Sequence, residues 1–243
     1  MTKWIEDWFG SEYYCLLYKH RSSDEAKLFL DQLIAILKLE AGKKILDCGC
    51  GRGRHAGYLA KKRFDVTGID ISEKNILTAN KSGSTNLHYY THDSRNIFRT
   101  NYFDVVLSLF TSFGYFEKDT ENNKSIRSMA IALKKDGWFV LDFMNSVKEK
   151  KELVRHESSK CKKVKFEIKR FTGNNCFVKE ISVSDSKKKI SYREQVKAYA
   201  QTELENFFRQ NGLAVVHLFG DYNLNPFDET KSDRLILIGK KIK

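Results

Sequence analysis

The chain has 243 residues, of which 41% are hydrophobic and 17 are Phe, so it can bury the core of one large α/β domain and is not a disordered chain. Its net charge of +12 lies mostly in residues 146–200, where 16 Lys and Arg stand against 7 Asp and Glu. The sequence has neither a run of about 18 apolar residues nor an apolar signal-peptide core, so we expect a cytoplasmic protein without a membrane-spanning helix.

Residues 1–40 predict an N-terminal arm followed by a helix. From Trp4 to Arg21 the sequence is rich in aromatic residues and shows no regular pattern. Ser22 and Glu25 then form a capping box, and the apolar residues behind them recur at helical spacing until Gly42. We therefore expect an irregular arm in front of one helix.

Residues 41–145 alternate between apolar strand patterns and helical patterns. Asp119 caps the last predicted helix of this segment, and Asp136 with Gly137 ends it. Such alternation predicts a parallel, doubly wound sheet with the α/β fold class. The five predicted strands are KKILDCG, FDVTGID, NLHYYTHD, FDVVLSLF and WFVLDF.

Residues 151–200 break this alternation. Three segments, VKFEIKRF, FVKEISV and KISYREQVKAY, alternate apolar with charged residues and have no helix between them. They predict a small antiparallel sheet with one apolar and one charged face. Residues 201–243 predict a helix and a β-hairpin. Because no linker or repeat is present, we expect a single domain over residues 1–243 that carries a β insertion.

The stretch LDCGCGRGRH, residues 46–55, contains candidate metal ligands. Cys48 and Cys50 alternate with glycine, and His55 lies nearby. A zinc site needs four ligands, and the sequence supplies no fourth one close by. We therefore expect no metal, and interpret the two cysteines as small buried side chains. The five cysteines of the chain are an odd number at irregular spacing, which does not fit a disulfide framework.

The same stretch predicts a nucleotide-binding loop, because a strand runs through glycines into the start of a helix. Gly49, Gly51 and Gly53 would let the backbone approach a ligand. Asp70 ends the second predicted strand, near the offset expected of a ribose-binding acid. Two cofactors compete for this loop, a nicotinamide dinucleotide and S-adenosylmethionine.

The charges favour S-adenosylmethionine. Asp47 begins the loop and would repel a pyrophosphate, whereas it could help to hold the ammonium group of S-adenosylmethionine. Asp70 can accept hydrogen bonds from both ribose hydroxyls. Asp93, at the end of the third strand, can accept one from the adenine amine. A nicotinamide-dependent oxidoreductase remains the alternative.

Taken together, these motifs resemble the class I S-adenosylmethionine-dependent methyltransferases over roughly residues 40–145. ILDCGCGRGRHA resembles motif I, VTGIDIS motif II, HDSRNI motif III, and YFDVVLSLFTSFGYF motif IV with its following loop. The resemblance implies a seven-stranded sheet of order 3-2-1-4-5-7-6 with strand 7 antiparallel. It also implies cofactor contacts by Ile71 beside Asp70, by Ser94 beside Asp93, and by Leu109 after strand 4.

A finer resemblance concerns the arm. Glycine N-methyltransferase-like enzymes place an N-terminal arm over the cofactor, which implies cofactor contacts by Tyr13 and by Arg21, the latter on the cofactor's carboxylate. The alternative is that the aromatic residues of the arm only cover an apolar face. We expect the arm and the β insertion to form a lid.

The methyl acceptor would lie beyond the carboxyl ends of the strands, near residues 111–116 and 142–145. Tyr115 and Asn145 are our substrate-side candidates, with packing and loop capping as the alternative. No residue stands out as a catalytic base, although several qualify by type. A small-molecule N, O or S acceptor is favoured. The base candidates by type are His20, His88, His92, His217, Tyr115 and Tyr222.

Other functions remain open at this point. The basic insertion could bind nucleic acid, which would make the protein an RNA methyltransferase. However, strict alternation already explains its lysines as the solvated face of a sheet, and lysine also protects sheet edges. A protein or peptide acceptor and a non-catalytic cofactor-binding protein are further alternatives. The sequence sets no oligomeric state.

Overall fold

The N-terminal arm is helical in the computed structural model, which describes residues 3–19, 23–186 and 188–242. Helix α1 (Lys3–Phe9) is followed by α2 (Glu12–Leu17), and α3 (Ser23–Ile36) is the predicted helix. The expectation of an irregular arm was wrong. Ser11 accepts a hydrogen bond from the backbone N–H of Tyr14 and so caps α2. Two helices of six and seven residues are too short for a clear 3.6-residue pattern.

The central segment alternates as predicted. Its elements are β1 (Lys44–Cys48), α4 (Arg54–Lys61), β2 (Asp65–Asp70), α5 (Glu73–Ala79), a 3-10 turn (Asn80–Ser82), β3 (Leu87–Thr91), β4 (Phe103–Ser108), α6 (Asp119–Ala132) and β5 (Leu133–Met144).

Two boundaries of α6 differ from the prediction. Lys118 is its N-cap and Asp119 its first residue, and the helix ends at Ala132 rather than near Asp136. Strand β5 begins at once, because Leu133 pairs with Phe103 of β4. Tertiary strand pairing therefore overrides the turn signal of Asp136 and Gly137.

The β insertion follows α7 (Ser146–Lys151) and has four strands rather than three. They are β6 (His156–Cys161), β7 (Val164–Gly173), β8 (Cys176–Asp185) and β9 (Lys188–Lys197), paired in that order and antiparallel. Strand β6 was missed because HESSKC has no buried side chain and hence no apolar alternation. The chain closes with α8 (Gln201–Gln210), β10 (Leu213–Phe219) and β11 (Arg234–Lys241).

The main sheet has the order β3-β2-β1-β4-β5-β11-β10. Strands β1 to β5 are parallel, and β11 is antiparallel to β5. This topology confirms the predicted fold class and strand order. Successive strand residues face opposite layers: Leu46 packs in the cluster that includes α6 and α8, and Ile45 in the one that includes α3, α4 and α5. The carboxyl ends of β1, β2, β3 and β4 meet at one edge.

The arm packs against the apolar face of the insertion. Trp8 of α1 is fully buried among Phe166, Ile168 and Ile181 of the insertion strands. The arm thereby connects the insertion to the strand ends of the main sheet. Among the described residues no helix is long and apolar enough to cross a membrane.

Candidate functional site

The loop after β1 takes a shape that requires glycine. Gly49, Gly51 and Gly53 all have positive φ, at +75°, +55° and +81°. A Cβ on Gly49 would lie 2.6 Å from the Cβ of Ser112, and one on Gly53 would lie 2.1 Å from the hydroxyl of Tyr89. Gly53 is also the N-cap of α4. The absence of side chains therefore lets the loop backbone lie close to Ser112 on one side and to Tyr89 on the other.

Asp70 holds this loop in place from the end of β2. The N–H of Gly51 donates to its Oδ2 at 2.9 Å, and the N–H of Ser72 donates to its Oδ1 at 2.8 Å. Burial raises the pKa of the carboxyl, although both backbone hydrogen bonds favour its charged form. Asp70, the residue predicted to bind the ribose, therefore also holds the glycine loop in place.

Asp47 lies at the end of β1 and is 1% exposed. Its Oδ2 is buried without a hydrogen-bond partner among the described residues. Burial raises the pKa of this carboxyl to about 7, opposed by a hydrogen bond from the backbone of Ala56. A buried acceptor that lacks a donor is costly, so this carboxylate suits a ligand that brings a positive charge.

A cavity of about 140 Å³ lies at the carboxyl ends of β1, β2 and β4; we call it the strand-end cavity. Five of the predicted cofactor residues line it: Gly49, Gly51, Asp70, Ile71 and Ser94. The loop of residues 110–116 forms its opposite wall. The cavity and the glycine loop lie where a nucleoside cofactor is expected. Because 140 Å³ is below the roughly 300 Å³ at which small-molecule sites begin, a cofactor bound there would extend beyond this cavity.

Other predicted cofactor residues lie elsewhere. Leu109 is buried in the core and does not line the strand-end cavity. Asp93 accepts hydrogen bonds from Arg95 on both carboxylate oxygens, so its expected contact with an adenine amine has a competitor. Tyr13 donates to Asp185 of the insertion, on another side of the arm. Arg21 lies outside the described residues.

The sequence analysis missed the residues of the arm that do line the strand-end cavity. These are Ile5, Phe9 and Tyr14. Tyr13 and Tyr14 lie on one helix, where successive side chains point about 100° apart, so only one of them can face the cavity. The aromatic richness of the arm was the available signal. It identified the segment but not the side chain.

A second cavity, of about 830 Å³, lies between the strand ends, the arm and the insertion; we call it the roofed cavity. It shares five lining residues with the strand-end cavity, so the two spaces meet. The shared residues are Phe9, Tyr14, Phe110, Thr111 and Tyr115. Tyr115, a predicted substrate-side residue, therefore stands at the junction.

Asn145, the other substrate-side candidate, lines neither cavity. It is 2% exposed, and its side-chain oxygen accepts from the N–H of Val147 at the start of α7. Its side-chain nitrogen donates to the backbone carbonyls of Glu229 and Ser232. The structure thus gives Asn145 the capping role rather than a substrate contact.

An ion pair on the insertion, whose carboxylate is buried, is hydrogen-bonded to the arm. Lys179 on β8 donates to Glu194 on β9 at 3.1 Å and to the hydroxyl of Tyr18 at 3.1 Å. The indole N–H of Trp8 donates to the other oxygen of Glu194 at 2.9 Å. Lys179, Glu194 and Tyr18 all line the roofed cavity. The wall formed by the insertion and the arm is therefore polar there, and its polar groups are joined by hydrogen bonds.

The base candidates divide by position. His92 lines the strand-end cavity and Tyr222 lines the roofed cavity, whereas His88 and His217 line neither. His20 lies outside the described residues. Tyr222 is itself engaged, since its hydroxyl donates to Asp142. Within residues 3–19, 23–186 and 188–242 no group of three or more His, Cys, Asp or Glu could hold a metal ion.

The sequence matches a known family. Residues 45–137 match a family model described as a methyltransferase domain. A dTDP-3-amino-3,4,6-trideoxy-alpha-D-glucopyranose N,N-dimethyltransferase from Streptomyces venezuelae is 26% identical over 222 residues, which are 86% of this chain and 92% of that protein. The chain spans about half the length of two other curated relatives, 56% of one from Geobacillus sp. and 44% of one from Bacillus subtilis.

Solved structures share the fold over nearly the whole chain. An S-adenosylmethionine-dependent methyltransferase from Clostridium acetobutylicum has a TM-score of 0.81 at 18% identity, covering 94% of this chain and 95% of that one. An amino pentose methyltransferase from Micromonospora echinaspora, solved with S-adenosylmethionine bound, has a TM-score of 0.70 at 20% identity, covering 95% and 97%. These matches favour S-adenosylmethionine over the nicotinamide alternative.

Proposed function

We propose that the chain is a class I S-adenosylmethionine-dependent methyltransferase, because residues 45–137 match a methyltransferase domain and the fold is shared with such enzymes. It would methylate an amino group of a small molecule held in the roofed cavity. One observation carries this proposal. The roofed cavity meets the strand-end cavity through five shared residues and is covered by the arm and the insertion. Its volume of about 830 Å³ lies in the range of small-molecule sites.

The residues of the strand-end cavity fit the cofactor. We assign Asp70 to the ribose, the backbone of Gly49 and Gly51 to close approach, and Ile71 with Ser94 to the adenosine portion. Asp47 does not itself line the cavity, but its buried Oδ2 lacks a donor among the described residues, and we assign it to the cofactor's ammonium group. The cofactor supplies a methyl group bonded to a positively charged sulfur. Phe110 and Tyr115 stand at the junction and would exclude water from the reacting atoms.

The acceptor's nucleophile would be an amine. An amine enters protonated at neutral pH; carboxylates at the cavity wall attract it, and its proton passes to solvent water before methyl transfer. Glu149 and Glu152 line the roofed cavity and are exposed to solvent, through which the proton can leave. Two of the similar proteins, an N,N-dimethyltransferase and an amino pentose methyltransferase, support a nitrogen acceptor. Holding the amine in line, about 3–3.5 Å from the methyl group, would supply most of the rate.

The test is the formation of S-adenosylhomocysteine, followed by mass spectrometry. Purified protein is incubated with S-adenosylmethionine and, in separate reactions, with amino sugars and other small amines, their hydroxyl counterparts, small thiols, or total RNA. We expect product with one or more amines and none with the matched hydroxyl compounds. Product with RNA alone would favour the nucleic-acid alternative. Binding of the cofactor without product from any acceptor would favour a non-catalytic role.

A further inference from the structure

Two consecutive residues at the junction of the cavities have a left-handed backbone although neither is glycine. Phe110 has φ +54° and Thr111 has φ +58°. This conformation is unfavourable for L-residues and most of all for a β-branched residue such as Thr. Both residues line the strand-end cavity and the roofed cavity. Strained backbone of this kind persists only where the surroundings enforce it, and it clusters at functional sites.

A buried carboxylate enforces the conformation. Asp142, near the end of β5, is fully buried. The N–H of Phe110 donates to its Oδ2 at 2.7 Å, and the N–H of Thr111 donates to its backbone carbonyl at 3.0 Å. Arg234 at the start of β11 donates both to Oδ1 of Asp142 and to the hydroxyl of Thr111, at 2.7 and 3.0 Å. Tyr222 donates to Oδ2 of Asp142 at 3.1 Å.

The strained pair is also linked to the glycine loop. Ser112 follows it directly, and its hydroxyl donates to the backbone carbonyls of Leu109 and Gly49, at 2.8 and 3.3 Å. Because a Cβ on Gly49 would collide with Ser112, the two loops are in close contact. A change in the backbone at Thr111 would therefore move the wall of the strand-end cavity. Arg234 and Tyr222 line the roofed cavity alone.

We propose that Asp142, Arg234 and Tyr222 are positioning residues, which hold Phe110 and Thr111 so that the acceptor and the cofactor meet at one junction. Arg234 and Tyr222 lie at the roofed cavity, yet through Phe110 and Thr111 they would set the shape of the strand-end cavity. This inference rests on the proposed function, since it takes the roofed cavity as the acceptor site and the strand-end cavity as the cofactor site. A purely local role would confine the effect of these residues to the acceptor.

The test is the affinity for S-adenosylmethionine, measured by titration calorimetry without any acceptor. We expect Arg234→Lys, which lacks the planar fork that spans Asp142 and Thr111, to weaken binding about fivefold or more. Tyr222→Phe, which removes one hydrogen bond to Asp142, should weaken it about two- to fivefold. Val154→Ala is the matched control, because Val154 lines the roofed cavity and lies outside the network. Its affinity should equal that of the wild type.

A rescue distinguishes positioning from general damage. Glycine adopts positive φ without strain, so Thr111→Gly should keep the loop in place without the arginine. The double variant Arg234→Lys/Thr111→Gly should therefore bind S-adenosylmethionine within about twofold of Thr111→Gly alone. If Arg234→Lys does not fold, as judged by circular dichroism, Tyr222→Phe and its double variant with Thr111→Gly carry the test.

The outcomes are separable. Folded Arg234→Lys and Tyr222→Phe proteins that bind S-adenosylmethionine like the wild type would overturn the positioning role and leave the proposed function intact. The positioning role would also be overturned if Arg234→Lys/Thr111→Gly bound S-adenosylmethionine much more weakly than Thr111→Gly alone. A wild-type protein that does not bind S-adenosylmethionine at all would instead remove the proposed function and this inference with it.

Discussion

Asp47 is a buried carboxylate whose charge depends on pH near neutrality. Burial raises its pKa to about 7, so it is mostly protonated at pH 6 and mostly ionised at pH 8. If its charged form holds the cofactor's ammonium group, the wild type should bind S-adenosylmethionine about fivefold or more weakly at pH 6 than at pH 7.5. Asp47→Asn should bind weakly at both pH values. Titration calorimetry measures this, and an equal pH dependence in the two proteins would contradict it.

The same carboxyl affects stability without cofactor. Its pKa is raised in the folded state from an ordinary value of 3.8, so its contribution is most favourable at low pH and is lost as the pH rises to about 7. We expect the difference in unfolding free energy between Asp47→Asn and the wild type to grow across this pH range, in favour of the variant. Urea unfolding at pH 5 and pH 8 checks the sign. A difference that stays constant would mean that the carboxyl does not titrate there.

Asp70 combines a proposed ribose contact with its hydrogen bonds to Gly51 and Ser72. Asp70→Ala should weaken S-adenosylmethionine binding at least about tenfold, because it removes a charged acceptor and frees the glycine loop. Asp70→Asn keeps one carbonyl acceptor and should lose less. Calorimetry with adenosine separates the ribose contact from effects on the rest of the cofactor. If Asp70→Ala bound S-adenosylmethionine as tightly as the wild type, the assignment of Asp70 to the ribose would be wrong.

At the scale of elements, the arm and the insertion are connected through Glu194. Its side chain is 7% exposed, and it accepts from Trp8 of α1 and pairs with Lys179 of β8. Lys179→Met should lower the unfolding free energy by about 2 kcal/mol, because it leaves the buried carboxylate of Glu194 without its cation. The loss is smaller than for a fully buried pair, because Lys179 is partly exposed. Urea unfolding measures the loss.

The matched control for that prediction is a double variant. Glu194→Gln removes the charge that Lys179→Met leaves unpaired, so the double variant should be more stable than the sum of the single effects implies. Simple additivity would mean that the pair makes no net contribution. In that case the arm would be held mainly by the burial of Trp8 among the apolar residues of the insertion.

At the scale of the whole molecule, the net charge of +12 is partly neutralised where it is densest. On the insertion, Lys165 pairs with Glu167, and Arg170 pairs with Glu157. These pairs support a solvated sheet face rather than a nucleic-acid site.

We therefore expect only non-specific RNA binding. A labelled 20-nucleotide RNA should bind with a Kd weaker than about 1 μM at 150 mM salt, and binding should weaken at least about tenfold between 50 and 200 mM. Fluorescence anisotropy provides the measurement. Tight binding that resists salt would instead favour the RNA methyltransferase alternative.

The sequence by itself determined the strands of the main sheet and the cofactor loop, whereas the strand order came from the resemblance to the methyltransferase family. The strands and the loop depend on local signals: apolar strand runs, the residues that end helices, and Gly49, Gly51 and Gly53 at a turn where a side chain would collide. Short or polar elements carried no such signal, which is why the helical arm and strand β6 were missed. The sequence left Asn145 open between a substrate contact and a loop cap, because the two look alike in sequence; in the structure it caps α7.

The tertiary structure alone decided which side chains meet at the two cavities. Tyr14 rather than Tyr13 faces them because of the rotation of one short helix against the sheet. Tyr222 and Arg234 converge on Asp142, which in turn accepts from the N–H of Phe110, although these residues are far apart along the chain. Local sequence patterns do not encode such contacts, because they depend on how β5, β11 and the loop between β10 and β11 pack together.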